Sequence, residues 1–202
     1  MIDFIKRFVV WLRRARYSRG FGVQSPWAYR FIRYVVNEHY PYYKYEHLAE
    51  QVYGIDKTTR KLCKFYFRLA NYQQVHTFVD CFPTSSCYKI YVDAGCQKAN
   101  YHRITEVISE EELIRLFSNI GDYSMVRVPL VANYRMVVDK ALDHLPSSSV
   151  LIIENIKRDK ETQKYWSELV SDSRTGVSFD LYYCGVLFLN NDMVKQSYIV
   201  NF

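Results

Sequence analysis

A chain of 202 residues with 49% hydrophobic and 24% charged side chains, including 19 Tyr and 12 Phe, has enough apolar material for one globular domain with an aromatic core, which excludes a disordered chain. The formal charge of +6 sits at one end, where residues 1–33 hold eight Lys/Arg against Asp3, while the remainder holds 19 basic and 20 acidic residues. A near-neutral body excludes a nucleic-acid-binding core, and no apolar run approaches the ~18 residues of a membrane span.

The five cysteines (Cys63, Cys81, Cys87, Cys96 and Cys184) are odd in number and form no CxxC pair. They read as reduced thiols of a cytoplasmic protein, and their spacing to His102 is not that of a zinc site.

Residues 1–19 have helical periodicity. Ile5, Phe8, Val9 and Leu12 fall on one stripe and Lys6, Arg7, Arg13, Arg14 and Arg16 cover much of the rest. The preferred reading packs this stripe on the domain; the alternative lays the helix on an anionic membrane surface. A turn at Gly20-Phe21-Gly22 precedes Ser25-Pro26, an N-cap followed by a first-position proline, and Ala28, Phe31, Ile32 and Val35 form the face of the helix it starts. The tyrosines at 40, 42, 43 and 45 read as a lid or packing surface. Asp56 caps a further helix with Leu62, Phe65, Tyr66 and Leu69 as its stripe.

From residue 77 the pattern alternates. Residues 77–82 and 88–93 are β-branched and aromatic and read as two strands around Pro83-Thr84-Ser85-Ser86, with Asp80 and Asp93 near their ends. A third strand is expected at 103–108. A helix over 110–120 follows, started by the capping box Ser109/Glu112. A strand at 123–130, a helix at 133–145, a fully apolar strand at 150–153 and a helix opened by Asp159 come next. Two β segments, 177–189 and 197–200, separated by Asn190-Asn191-Asp192, suit a closing antiparallel hairpin. The expectation is a helical segment over 1–72, packed on an α/β domain over 73–202 whose sheet is mostly parallel.

Three stretches in this order carry a resemblance: Arg19-Gly20-Phe21-Gly22-Val23-Gln24-Ser25-Pro26-Trp27; residues 62–71 running into 77–80; and residues 148–166 continuing to Phe202 with Gly185-Val186-Leu187-Phe188. Together they are similar to bacterial class I S-adenosylmethionine-dependent methyltransferases of the O-methyltransferase-like kind. The resemblance implies a Rossmann-like sheet, here shortened in its first half. It also implies a cofactor site framed by an acid ending the first strand, matched by Asp80, and an acid binding the ribose hydroxyls, matched by Asp93. Glu154 stands in part for the family's acids after its fifth strand.

The glycine-rich turn the family needs is replaced by Cys81-Phe82-Pro83-Thr84-Ser85, which leaves Thr84 and Ser85 as the turn's polar groups and a proline where an N–H should be. Where the family is acidic after its fourth strand, this chain has Val126-Arg127-Val128-Pro129. Five residues between strands at 77–82 and 88–93 are too few for a parallel crossover, so the crossover helix reads as deleted. The expected cofactor-binding residues are therefore Asp80, Thr84, Ser85, Asp93 and Glu154. The expected function is a non-catalytic binding or scaffold protein that has lost S-adenosylmethionine and takes a protein partner or small molecule. The alternative is an active methyltransferase with a divergent pocket.

Overall fold

The structure, a computed structural model, describes residues 2–202 except 21, 107, 132 and 191, and describes no side chain for residues 2–7, 18 and 19. Phe21 of the glycine turn, Ile5 of the N-terminal stripe and Asn191 of the expected closing turn therefore lie outside the described side chains.

Helix α1 (Ile2–Arg13) runs into a 3-10 turn (Ala15–Gly20). Ser25 and Pro26 then start α2 (Pro26–Phe31) as their types dictate, with the Ser25 hydroxyl accepting from Ala28 N. A π turn (Ile32–Val36) continues α2. Its last carbonyls accept from the buried guanidinium of Arg68, Nε to Val35 O at 2.6 Å and Nη2 to Val36 O at 3.1 Å. Helix α3 (Lys44–Gln51) and the long α4 (Lys57–Gln73), capped by Asp56 at Thr58 N and Thr59 N, complete the helical layer.

The sheet has seven strands: β1 (Thr77–Cys81), β2 (Asn100–Ile104), β3 (Ser124–Pro129), β4 (Val150–Glu154), β5 (Ser178–Asp180), β6 (Cys184–Phe188) and β7 (Ser197–Ile199). Their order is β2-β1-β3-β4-β6-β5-β7, parallel from β2 to β4. Strand β6 is antiparallel to both β4 and β5, and β7 is parallel to β5. Between the strands lie α5 (Cys87–Gly95), α6 (Glu110–Ser118), α7 (Tyr134–His144) and α8 (Lys160–Ser171). This is the expected mostly parallel α/β sheet with its C-terminal antiparallel hairpin. The hairpin turns at Leu181, Tyr182 and Tyr183 rather than near Asn190, and β7 joins the sheet as an added parallel edge.

Strand alternation separates two cores. Phe78, Met125, Ile152 and Val186 face α2–α5, while Val79, Val126, Leu151 and Leu187 face α6–α8.

One expected strand is a helix. Residues 88–93 belong to α5, the crossover between β1 and β2, which is therefore present rather than deleted. Tyr88, Tyr91 and Val92 are buried at helical spacing against α4, and this tertiary burial overrides their local β preference. The next strand begins at Asn100 rather than Arg103. What is short is the arm beyond β1: β2 is the sheet edge, where a doubly wound sheet commonly has a further strand.

Helices α4 and α5 approach so closely that a Cβ on Gly95 would lie 2.3 Å from Phe67 O. Backbone cannot yield as a flexible side chain can. Gly95→Ala is expected to lower stability by about 1–3 kcal/mol through overpacking, read as a lower urea midpoint at unchanged slope.

Candidate functional site

In an open α/β sheet, ligands bind outside the carboxyl ends of the strands where the strand order reverses. Here that point lies between β1 and β3, because the chain leaves β1 for β2 on one side and returns to β3 on the other. A cleft of about 690 Å³ opens there. Phe82 and Thr84 after β1, Pro129 and Val131 at β3, Glu154 and Asn155 at β4, the start of α4 and the hairpin residues Tyr182 and Tyr183 line it.

The floor of the cleft is an ion triad. Asp80, Arg127 and Glu154 come from three adjacent strands and, by alternation, point to the same face as Phe78, Met125 and Ile152. Arg127 Nη1 donates to Asp80 Oδ1 at 2.7 Å and to Cys81 O at 3.2 Å. Its Nη2 donates to Glu154 Oε2 at 2.6 Å. Tyr66 of α4 donates its hydroxyl to Glu154 Oε1 at 2.5 Å, and Tyr101 of β2 donates to Asp80 Oδ2 at 3.4 Å. The Tyr88 ring covers the guanidinium, 4.4 Å from ring centroid to Arg127 Cζ. Asp80 is 0% exposed and Arg127 4%.

Burial raises the Asp80 carboxyl against the opposing pull of Arg127. Burial works to lower the Arg127 guanidinium, but the charge and hydrogen bond of Glu154 prevail and raise it. The Tyr101 hydroxyl is pushed up to about 12 by burial and then by the Asp80 charge. The triad is therefore a satisfied structural knot; among the described residues only Arg127 Nε of this group lacks a hydrogen-bond partner.

The sequence-derived site residues separate in space. Asp80 and Glu154 are brought together, through Arg127. Thr84 lines the cleft and is exposed. Ser85, also exposed, turns its hydroxyl to Cys87 Sγ at 2.9 Å. A hydrogen bond with Cys63 first, then this one, hold the Cys87 thiol at about 7 against burial.

Asp93 is a correction. A crossover helix runs back from the carboxyl edge to the amino edge of the sheet, so the last turn of α5 carries Asp93 away from Asp80. There it pairs with Lys89 and lines a separate groove of about 890 Å³ with Lys44, His47 and Tyr101. That groove is the larger of the two, but it lies off the switch point. The acid that follows β2 is the exposed Glu106. Gly95, two residues on, serves helix packing.

Sequence reasoning missed Arg127 as the centre of the site. An arginine within an otherwise apolar strand was the available signal, since such a residue is buried only with partners. Tyr66 and Tyr88 carried no signal beyond core aromatics.

No family model matches the chain, and no curated protein matches it. Among solved structures it is similar to the MycE methyltransferase of the mycinamycin biosynthetic pathway, determined in complex with Mg and SAH. The TM-score is 0.53 at 11% identity, covering 74% of this chain and 50% of that one. The chain has a methyltransferase-like fold. It spans about half the length of the methyltransferase it matches, and the likeness concerns the fold alone. Among the described residues of this methyltransferase-like chain, no group of three His, Cys, Asp or Glu side chains could hold a metal ion.

Arg127→Met is expected to cost about 3–5 kcal/mol at pH 7, because it leaves two carboxylates buried without their cation. Burial already raises the Asp80 carboxyl, and without the opposing pull of Arg127 it rises further, so the lost stability returns as pH falls and Asp80 protonates. Urea unfolding of variant and wild type at neutral and acid pH checks this: the deficit narrows in acid, and an equal deficit at both would contradict a buried, charged triad.

Proposed function

We propose that this chain is a methyltransferase-like protein with a degraded S-adenosylmethionine site, acting as a non-catalytic binding or scaffold protein. The observation that carries this reading is Arg127 between Asp80 and Glu154. In the resembled enzymes the acid ending the first strand faces the cofactor; in this chain the matching carboxylate is buried and its oxygens are engaged by Arg127 and Tyr101.

The turn above it supports the same reading. Phe82 takes a left-handed backbone (φ 49°), donating its N–H to Ile104 O at 2.6 Å, and Pro83 follows with no N–H to offer. No glycine allows a ligand to approach the backbone closely there. With Asp93 on the opposite edge, the residues present do not fit the cofactor. Five free, buried cysteines accord with the reduced, cytoplasmic setting read from their number and spacing.

One observation favours the alternative, an active methyltransferase with a divergent pocket. The cleft remains open, and three of its lining residues, Phe82, Asn155 and Tyr182, hold positive φ. Strained non-glycine backbone of this kind gathers at ligand sites.

A thermal melt with S-adenosylmethionine and with S-adenosylhomocysteine, each at millimolar concentration, separates the readings. A cofactor at 100 times its dissociation constant adds about 2.7 kcal/mol, or about 5–10 °C for a chain of this size. No shift is expected with either compound. A shift of that order with either would overturn the degraded-site reading.

A further inference from the structure

Helix α1 does not do what its stripe was expected to do. Phe8, Val9 and Leu12 are 53%, 38% and 58% exposed, so the described part of the apolar stripe is turned to solvent rather than packed on the domain; Trp11 beside it is 54% exposed and also borders a cleft with Tyr40 and Phe202. Phe8 and Trp11 stack on each other, with ring centroids 6.2 Å apart. The opposite side of the helix meets the body, where Val10 lines the switch-point cleft and Arg14, one turn on, is held in place.

The attachment is polar and specific. Arg14 Nη1 donates to Asp180 O and Val200 O, both at 3.1 Å, and Nη2 donates to Asp180 Oδ1 at 2.6 Å. Asn201 Nδ2 donates to Trp11 O at 3.3 Å, and Asn201 N to Tyr17 O at 3.2 Å. The helix is thus fastened by one face while the other is presented outward.

We infer that α1 docks this protein on an anionic lipid surface, lying in the interface with Phe8, Trp11 and Leu12 inserted. Charge complementarity selects the occupant. Residues 1–33 hold eight Lys/Arg against one acid. Arg13 and Arg16 flank the apolar face, are exposed and make no ion pair among the described residues. Two copies meeting through α1 would set two such basic segments against each other. A nucleic acid would satisfy the arginines and leave Phe8, Val9, Trp11 and Leu12 in water. A lipid surface satisfies both sets: headgroup charge for the arginines and the acyl boundary for the aromatic and aliphatic groups. Twelve helical residues span about 18 Å, short of the ~30 Å hydrocarbon layer, so the helix lies along the surface. No described helix is long and apolar enough to cross.

The test is co-sedimentation of the full chain with vesicles of phosphatidylcholine containing about one third phosphatidylserine, against pure phosphatidylcholine. Wild type is expected to sediment with the anionic vesicles and not the neutral ones, and to be released at about 1 M salt, where the Debye length is about 3 Å. Phe8→Ser/Leu12→Ser and, separately, Arg13→Gln/Arg16→Gln are each expected to weaken binding at least tenfold with the melting temperature unchanged. Wild type left in the supernatant with both vesicles would overturn the inference, as would equal sedimentation with both or variants that bind like wild type. A fall in melting temperature for Phe8→Ser/Leu12→Ser would show that the face is packed in the fold, and concentration-dependent dimers abolished by the same variant would assign it to a second copy.

Discussion

Arg127 is the residue on which the centre of this molecule turns. A guanidinium in the middle of an apolar sheet is tolerated only when its charge is matched and most of its donors are used; here Nη1 and Nη2 are bonded and Nε is not. Asp80 and Glu154 meet that demand from the strands on either side. The result ties together β1, β3 and β4, and through Tyr66 and Tyr88 it reaches α4 and α5. The same geometry engages both carboxylates at the switch point with one cation, and Glu154 and Arg127 still line the cleft.

The helical layers on both faces of the sheet are organised by close approach. Gly95 lets α5 lie against the backbone of α4, and Gly185 accepts the face of Trp166 where a Cβ would meet the ring at 2.2 Å. Arg68 closes the π turn from within α4, so the end of the α2 segment is clamped to α4 by a buried side chain. Their aromatic residues continue the same core: Phe31 sits 4.6 Å, ring to ring, from Phe179 of β5, and Tyr42 and Tyr45 pack on Phe67. Tyr40 and Tyr43 of the same cluster remain exposed, so only part of it packs. The first helix is the exception, attached through Arg14 and Asn201 rather than through its apolar face.

Where local signals act within one element, they were legible. Ser25, Asp56, Ser109 with Glu112, and Asp159 each cap the helix they were read to start, because a cap depends on backbone groups two or three residues away. The apolar run Val150-Leu151-Ile152-Ile153 is the buried central strand its composition implied. The misread segment is instructive. Tyr88 to Asp93 has strand composition, yet five residues cannot carry a parallel crossover, and that constraint counted against the second strand rather than against the crossover helix. Tyr88, Tyr91 and Val92 were already at helical spacing.

The sequence by itself determined the helix starts, the alternation of strands and helices, the apolar central strand and the uneven charge, because each depends on neighbours along the chain or on composition. Only the tertiary structure decided that α5 is a helix, that Asp93 lies on the edge away from Asp80, and that Arg127 stands between Asp80 and Glu154. Those outcomes depend on strand order and register, which bring together residues 27 and 47 positions apart whose pairing no local pattern encodes.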